Sequence, residues 1–118
     1  MKKVIVGLFA IGMVTSFAAN AADYAAPGEQ CIPLRPAKIL QIESDVKLTD
    51  EVVRMMNEAV AVAEDPRWIA YTRPTFTWAS EAKVACGKAY GYLRSNFRDE
   101  QHLNKCECFY ERMQSYLN

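Results

Sequence analysis

Four cysteines, Cys31, Cys86, Cys106 and Cys108, limit the folds open to this 118-residue chain more than any other feature of it. An even number of cysteines in an exported chain reads as a set of disulfides, here two, each restricting the unfolded chain and contributing about 2 to 4 kcal/mol. Cys106 and Cys108 make a poor pair with each other, because successive helical residues lie about 100° apart and these two point to different sides. Two pairings remain: Cys31–Cys106 with Cys86–Cys108, or Cys31–Cys108 with Cys86–Cys106. Counting turns outward from a bend at Asn96 to Arg98 brings Cys86 nearer to Cys108, whereas the apolar stripe of the last helix turns Cys106 inward. In either arrangement one bridge closes a C-terminal hairpin and the other ties the N-terminal arm to it.

The reading as an exported chain comes from the first residues. Lys2 and Lys3 precede an apolar run from Val4 to Val14, and a small-residue stretch ends in Ala19-Asn20-Ala21. These are the three parts of a bacterial secretory signal, with small side chains where the peptidase subsites are narrow. The apolar core is shorter than the roughly 20 residues a bilayer span needs. Residues 1–21 are therefore expected to be a cleaved leader, residues 22–36 an extended arm rich in Ala, Pro and Gly, and residues 37–118 a single helical domain. No cysteine follows the apolar run closely enough for lipid attachment. The expected location is the periplasm or beyond it, with no stable membrane insertion after cleavage.

Loss of the leader leaves 12 basic against 14 acidic residues. Such a balance argues against nucleic acid as a partner. The charge is uneven, with nine acidic and four basic residues from Asp23 to Asp65, and five acidic and eight basic from Pro66 to Asn118. A basic C-terminal half suits an anionic surface, although the two halves complementing each other within the fold is the simpler explanation. About 97 residues make one domain near the lower end of what a single core supports comfortably, which is where disulfides help.

The periodicity predicts an all-α fold: a small bundle of three to four short helices with a C-terminal helical hairpin, stapled by two disulfides. Ala37 to Asp45 is ambiguous, but a short helix opened by Pro36 is preferred to a strand. Thr49 is read as the cap of the next helix, with Leu48 and Val53 as a hydrophobic staple and Asp50 and Glu51 in its first turn. Val52, Met56, Ala59, Val60 and Ala63 recur at helical spacing, and the helix is expected to stop at Asp65-Pro66. A further helix is expected from Trp78 to Phe97, its core face formed by Ala82, Cys86, Ala89, Leu93 and Phe97. The last helix begins near Asp99 and Glu100 and carries Leu103, Cys106, Tyr110, Met113 and Leu117 along one side. Glu107, Glu111, Arg112 and Gln114 are assigned to its solvated face.

Two features suggest recognition. Opposite the core face of the penultimate helix, Ser80, Val84, Gly87, Gly91 and Ser95 make a stripe of mostly small residues. Glycine inside a helix costs about 1 kcal/mol relative to alanine, and local breaks of this kind tend to mark close backbone approach or a functional surface. A partner face is expected around Gly87 and Gly91, with Tyr90 and Tyr92 as anchors and Lys88 and Arg94 on its rim; packing there by the helix that ends at Asp65-Pro66 or by the N-terminal arm is the structural alternative. The aromatic connector, with Trp68, Tyr71 and Phe76 leading into Trp78, is the other candidate, as a platform for a small molecule or glycan. Large side chains in a small domain more often cap its core, and Trp68 and Trp78 are read as core.

Catalytic motifs are absent: no nucleophile signature surrounds Ser80 or Ser95, and the cysteines lack the C-x-x-C spacing of thiol oxidoreductases. Cys86, Cys106, Cys108 and His102 lack structural-zinc spacing, so no metal or cofactor is expected, and His102 is read as a solvated or capping side chain. The functional expectation is an exported, non-enzymatic protein that binds another envelope or exported protein, of the kind used as an inhibitor, toxin-immunity protein, chaperone or virulence-associated factor. Self-association is a further option for Tyr-rich contacts on a nearly neutral surface. Expressed in a host that exports it, the protein is expected to begin at Ala22; intact-mass measurement and N-terminal sequencing of the exported form check this.

Overall fold

The computed structural model describes residue 31, residues 35–69 and residues 74–117. The expected leader, most of the expected arm and Tyr71 lie outside these. The fold is all-α. A 3-10 turn, Lys38–Gln41, precedes helices α1 (Asp45–Ala63), α2 (Pro66–Ile69), α3 (Thr75–Arg94) and α4 (Glu100–Leu117). Contacts set the helix directions: the start of α1 meets the α3–α4 turn through Arg98 and Asp45, and Glu58 meets Tyr110 further along. Helices α1 and α4 therefore run parallel, with α3 antiparallel to both.

Helix α1 starts at Asp45, earlier than expected. Ser44 caps it, its hydroxyl accepting from the Lys47 backbone N–H at 3.3 Å. Thr49 lies inside the helix and donates to the Asp45 carbonyl at 2.7 Å, so it is no cap, and Leu48 is part of the buried face instead of a staple. Both Ser44 and Thr49 have cap chemistry. The earlier one prevails because starting there adds Leu48 to Val52, Met55, Ala59 and Ala63 on a continuous buried stripe. At the other end Glu64 closes the helix and Asp65-Pro66 breaks it, as the proline requires.

Between residues 37 and 45 the chain forms a short helix, as preferred to a strand, but only as one 3-10 turn followed by extended residues. Helix α4 takes up its backbone donors: Ala37 N–H donates to Asn104 Oδ1 at 2.7 Å and Ile39 N–H to Glu107 Oε2 at 3.0 Å. Glu107, assigned to solvent from the sequence, is consequently 8% exposed. Its carboxylate lies beneath the strap whose amide it binds.

Helix α3 runs from Thr75 to Arg94, shifted towards the N-terminus relative to the expected span. It ends in a Schellman motif: Phe97 N–H donates to the Tyr92 carbonyl and Asn96 N–H to that of Leu93, each at 3.0 Å, with Asn96 in the left-handed region at φ 58°. Phe97 therefore lies beyond the helix, 55% exposed, packing edge-on against Tyr92 and not joining the core. The rest of its predicted stripe, Ala82, Cys86, Ala89 and Leu93, is buried.

On α4, Leu103, Cys106 and Met113 are buried as expected, together with Phe109. Tyr110 and Leu117 are half-buried against the core. Tyr110 joins a polar clamp: its hydroxyl donates to Glu58, accepts from Arg54 at 3.1 Å, and receives a further bond from Gln114, also half-buried, at 3.0 Å. Burial and the Glu58 carboxylate raise the Tyr110 phenol above its ordinary pKa, while the Arg54 guanidinium holds the Glu51 carboxyl below its own.

The disulfides are Cys31–Cys108 and Cys86–Cys106, with Cα–Cα distances of 5.9 and 4.5 Å. The face on which each cysteine lies outweighs its height above the bend. Cys106 is on the buried stripe opposite Cys86, whereas Cys108 turns towards the edge where Cys31 is held. The paired change Cys31→Ser/Cys108→Ser should cost about 4 kcal/mol of stability, and Cys86→Ser/Cys106→Ser about 3 kcal/mol from loop closure alone, with a further loss from hydroxyls placed in the core. Denaturant melts of both variants beside the reduced wild type check the order.

Candidate functional site

A helix crossing a bundle as a slim central element leaves part of its circumference uncovered. On α3 the uncovered side carries Val84, Lys88, Gly91, Tyr92 and Ser95, spaced at three and four residues and so sharing one face. Val84 is 50% exposed and Tyr92 43%. Where this face meets the start of α4, Lys88, Gly91, Tyr92, Ser95 and His102 line a concavity of about 440 Å³.

The turn between α3 and α4 positions the far wall. Asp99 caps α4, accepting from the His102 backbone N–H at 3.3 Å and from the His102 ring at Nδ1. A carboxylate only accepts, so Nδ1 carries the proton and the ring is held with Nε2 as its remaining nitrogen. The imidazole lies 5.5 Å from the Tyr92 ring, tilted by 30°, and Phe97 completes a group of three rings at the hairpin tip. Lys88 supplies a positive charge with no ion-pair partner among the described residues.

The partner face read from the sequence divides into two groups. Lys88, Gly91 and Tyr92 border the concavity. Gly87, Tyr90 and Arg94 do not: Gly87 lies beside Met56 of α1, Tyr90 packs against the core, and the Arg94 guanidinium sits 5.9 Å from the Tyr90 ring centre. Residues two apart on a helix point nearly opposite ways, which separates Tyr90 from Tyr92. Ser95, read in the same stripe as Gly91, also borders the concavity, whereas sequence reasoning did not join His102 to this face; the acid three residues before His102, at a helix start, was the available signal.

The described aromatics at and beside the connector, Trp68, Phe76 and Trp78, differ in their surroundings. Trp78 is buried, stacked 6.0 Å from Phe109 with the Arg112 guanidinium 5.7 Å from its ring. Phe76 is 38% exposed, and Trp68 is half-buried on α2. Thr75 Oγ1 and Trp78 Nε1, one turn apart at the start of α3, are buried without hydrogen-bond partners.

Among the described residues, no three His, Cys, Asp or Glu side chains are grouped to hold a metal ion, and no helix is long and apolar enough to cross a membrane. All four cysteines are consumed by disulfides. No protein-family model, curated protein or solved structure matches this chain.

The two helical glycines differ in surroundings. A Cβ at Gly91 would meet nothing within 4 Å, and one at Gly87 would touch only Met56 Sδ at 3.9 Å, an ordinary contact. Neither has a positive φ. Gly91→Ala should therefore raise stability by about 1 kcal/mol and Gly87→Ala by somewhat less; thermal melts of the single variants check both. Destabilisation by Gly91→Ala would show that the fold itself needs the glycine.

Proposed function

We propose that this protein is an exported binding protein, working in the bacterial envelope through the outer face of α3 and the hairpin tip. The observation carrying this reading is that Val84, Tyr92 and Phe97, three of the seven large apolar side chains exposed among the described residues, lie along the outer face of α3 and the adjoining turn beside Lys88, which has no internal partner, whereas Val46, Ile69, Phe76 and Tyr116 lie on other elements or at other ends of the helices. Aromatic anchors with a charged rim are the usual makeup of a binding hot spot. The two disulfides fit work in an oxidising compartment. The partner is proposed to be another envelope or exported protein, and the role a stoichiometric one, as in an inhibitor, immunity protein or chaperone.

Tagged mature protein used as bait against the envelope fraction of its host tests this, beside the paired change Val84→Asp/Phe97→Ser. The expected outcome is a specific partner retained by the wild type and reduced at least about tenfold by the variant, the loss of two buried apolar contacts, with helix content unchanged. Undiminished capture by the variant would remove this face from the interaction. Gel filtration adds a second arm: a dimer that the same pair of changes makes monomeric would assign the face to a second copy of the chain.

A further inference from the structure

We propose that the concavity between the end of α3 and the start of α4 is a binding site for a carboxylate carried on an aromatic or apolar body. The inference goes beyond the docking reading: it shares Lys88 and Tyr92 with it but concerns a small ligand held in the concavity, and its test uses a separate readout.

Three hydrogen-bonding groups on residues that line the concavity, the Lys88 ammonium, the Tyr92 hydroxyl and the Ser95 hydroxyl, make no hydrogen bond or ion pair among the described residues. The fourth, His102, spends only Nδ1 on Asp99. The other side of the domain behaves differently: Arg54, Glu51, Glu58, Tyr110 and Gln114 bind one another across α1 and α4. The Lys88 ammonium and the Tyr92 and Ser95 hydroxyls can each donate to an anionic acceptor with more than one oxygen, while the His102 ring adds aromatic surface. Asp99, the nearby carboxylate, is already engaged by His102 through both its ring and its backbone.

Shape narrows the ligand further. The concavity is shallow and open to solvent, and its lining is more apolar than polar, which suits an apolar body resting against it. The Tyr92 and His102 rings, 5.5 Å apart, offer an aromatic surface on which a flat or apolar group can rest. Gly91 lies between Lys88 and Ser95 with open space where a Cβ would be, so its missing side chain keeps room in the concavity that neither the backbone nor a neighbouring helix requires. The same chemistry occurs in a free aromatic acid and in the C-terminal residue of a polypeptide.

Amide NMR titration of the mature protein separates these cases, using phenylacetate, a tripeptide ending in phenylalanine with a free carboxylate, and the amide of each as a control. Both acids should shift the Gly91, Tyr92, Ser95 and His102 resonances, and each amide should bind about tenfold more weakly, the scale of one charge-assisted contact. Tighter binding of the peptide acid identifies a chain terminus as the ligand, and equal or tighter binding of phenylacetate identifies a free acid. Lys88→Gln, a change at an exposed position, should weaken both acids by a similar factor, while Gly91→Ala should weaken them in a protein that melts no lower than the wild type. Equal binding of acids and amides, shifts centred elsewhere, no shifts at all, or no effect of Lys88→Gln would each overturn the proposal. Since these readouts are independent of captured protein, failure here leaves the docking reading standing, and the converse also holds.

Discussion

The close approach of α3 and α4 is the constraint on which the remaining structure depends. From Ala79 to Ala89 the buried face of α3 consists of Ala79, Ala82, Ala85, Cys86 and Ala89, with no large side chain. The volume of the core is supplied instead by Leu48, Val52 and Met55 from α1 and by Leu103, Phe109 and Met113 from α4. Small side chains in the middle layer let both neighbours approach, but they give α3 little shape by which to register itself. The Cys86–Cys106 bridge, with a Cα–Cα distance of 4.5 Å, supplies that registration. At the hairpin end the Asn96 turn fixes the direction of return.

Once the hairpin is fixed, the N-terminal segment has a defined surface to occupy. Cys108 lies on the edge of α4 and draws in Cys31, while Asn104 and Glu107 accept the amides of Ala37 and Ile39. A buried carboxylate accepting a backbone N–H is a demanding arrangement, because leaving either group unpaired carries a desolvation cost. Together Asn104 and Glu107 supply acceptors at the start of the 3-10 turn, where the first backbone amides have no partner within the turn itself.

Much of this architecture was legible in the sequence, and the exceptions have physical causes. The all-α class, the stop at Asp65-Pro66 and the inward turn of Cys106 follow from periodicity and from proline, which are local. The start of α1 was misplaced because Ser44 and Thr49 are equally good caps locally, and only tertiary burial of Leu48 distinguishes them. Glu107 was misread for a similar reason, its burial being caused by residues some 68 positions away. Phe97 continued a helical stripe on paper, but a left-handed Asn96 ended the helix before it. The candidate site was largely legible: Gly91 and Ser95 were read in the stripe and Lys88 and Tyr92 beside it, whereas His102 of α4 joins them only through the geometry of the turn.

The charge asymmetry of the chain bears on what the uncovered face of α3 can do. Had the basic C-terminal half simply neutralised the acidic N-terminal half, its lysines and arginines would be found in ion pairs with α1. Arg98 does this, bonding Asp45 at 2.7 Å and the Glu43 carbonyl at 2.7 Å. Lys83, Lys88, Arg94 and Lys105 do not, and Arg54 of α1 finds its carboxylates on its own helix. Arg67 pairs with Asp65 at 2.7 Å where the two halves join, so among the described residues they complement each other only in part. Exposed positive charge without an internal partner is cheap to keep in water, so its presence needs no explanation from the fold. Its position beside Tyr92, above an open glycine, is what makes it consequential: there a ligand's negative charge would meet a lysine that loses no existing pair in binding it, next to an aromatic surface able to take the uncharged remainder.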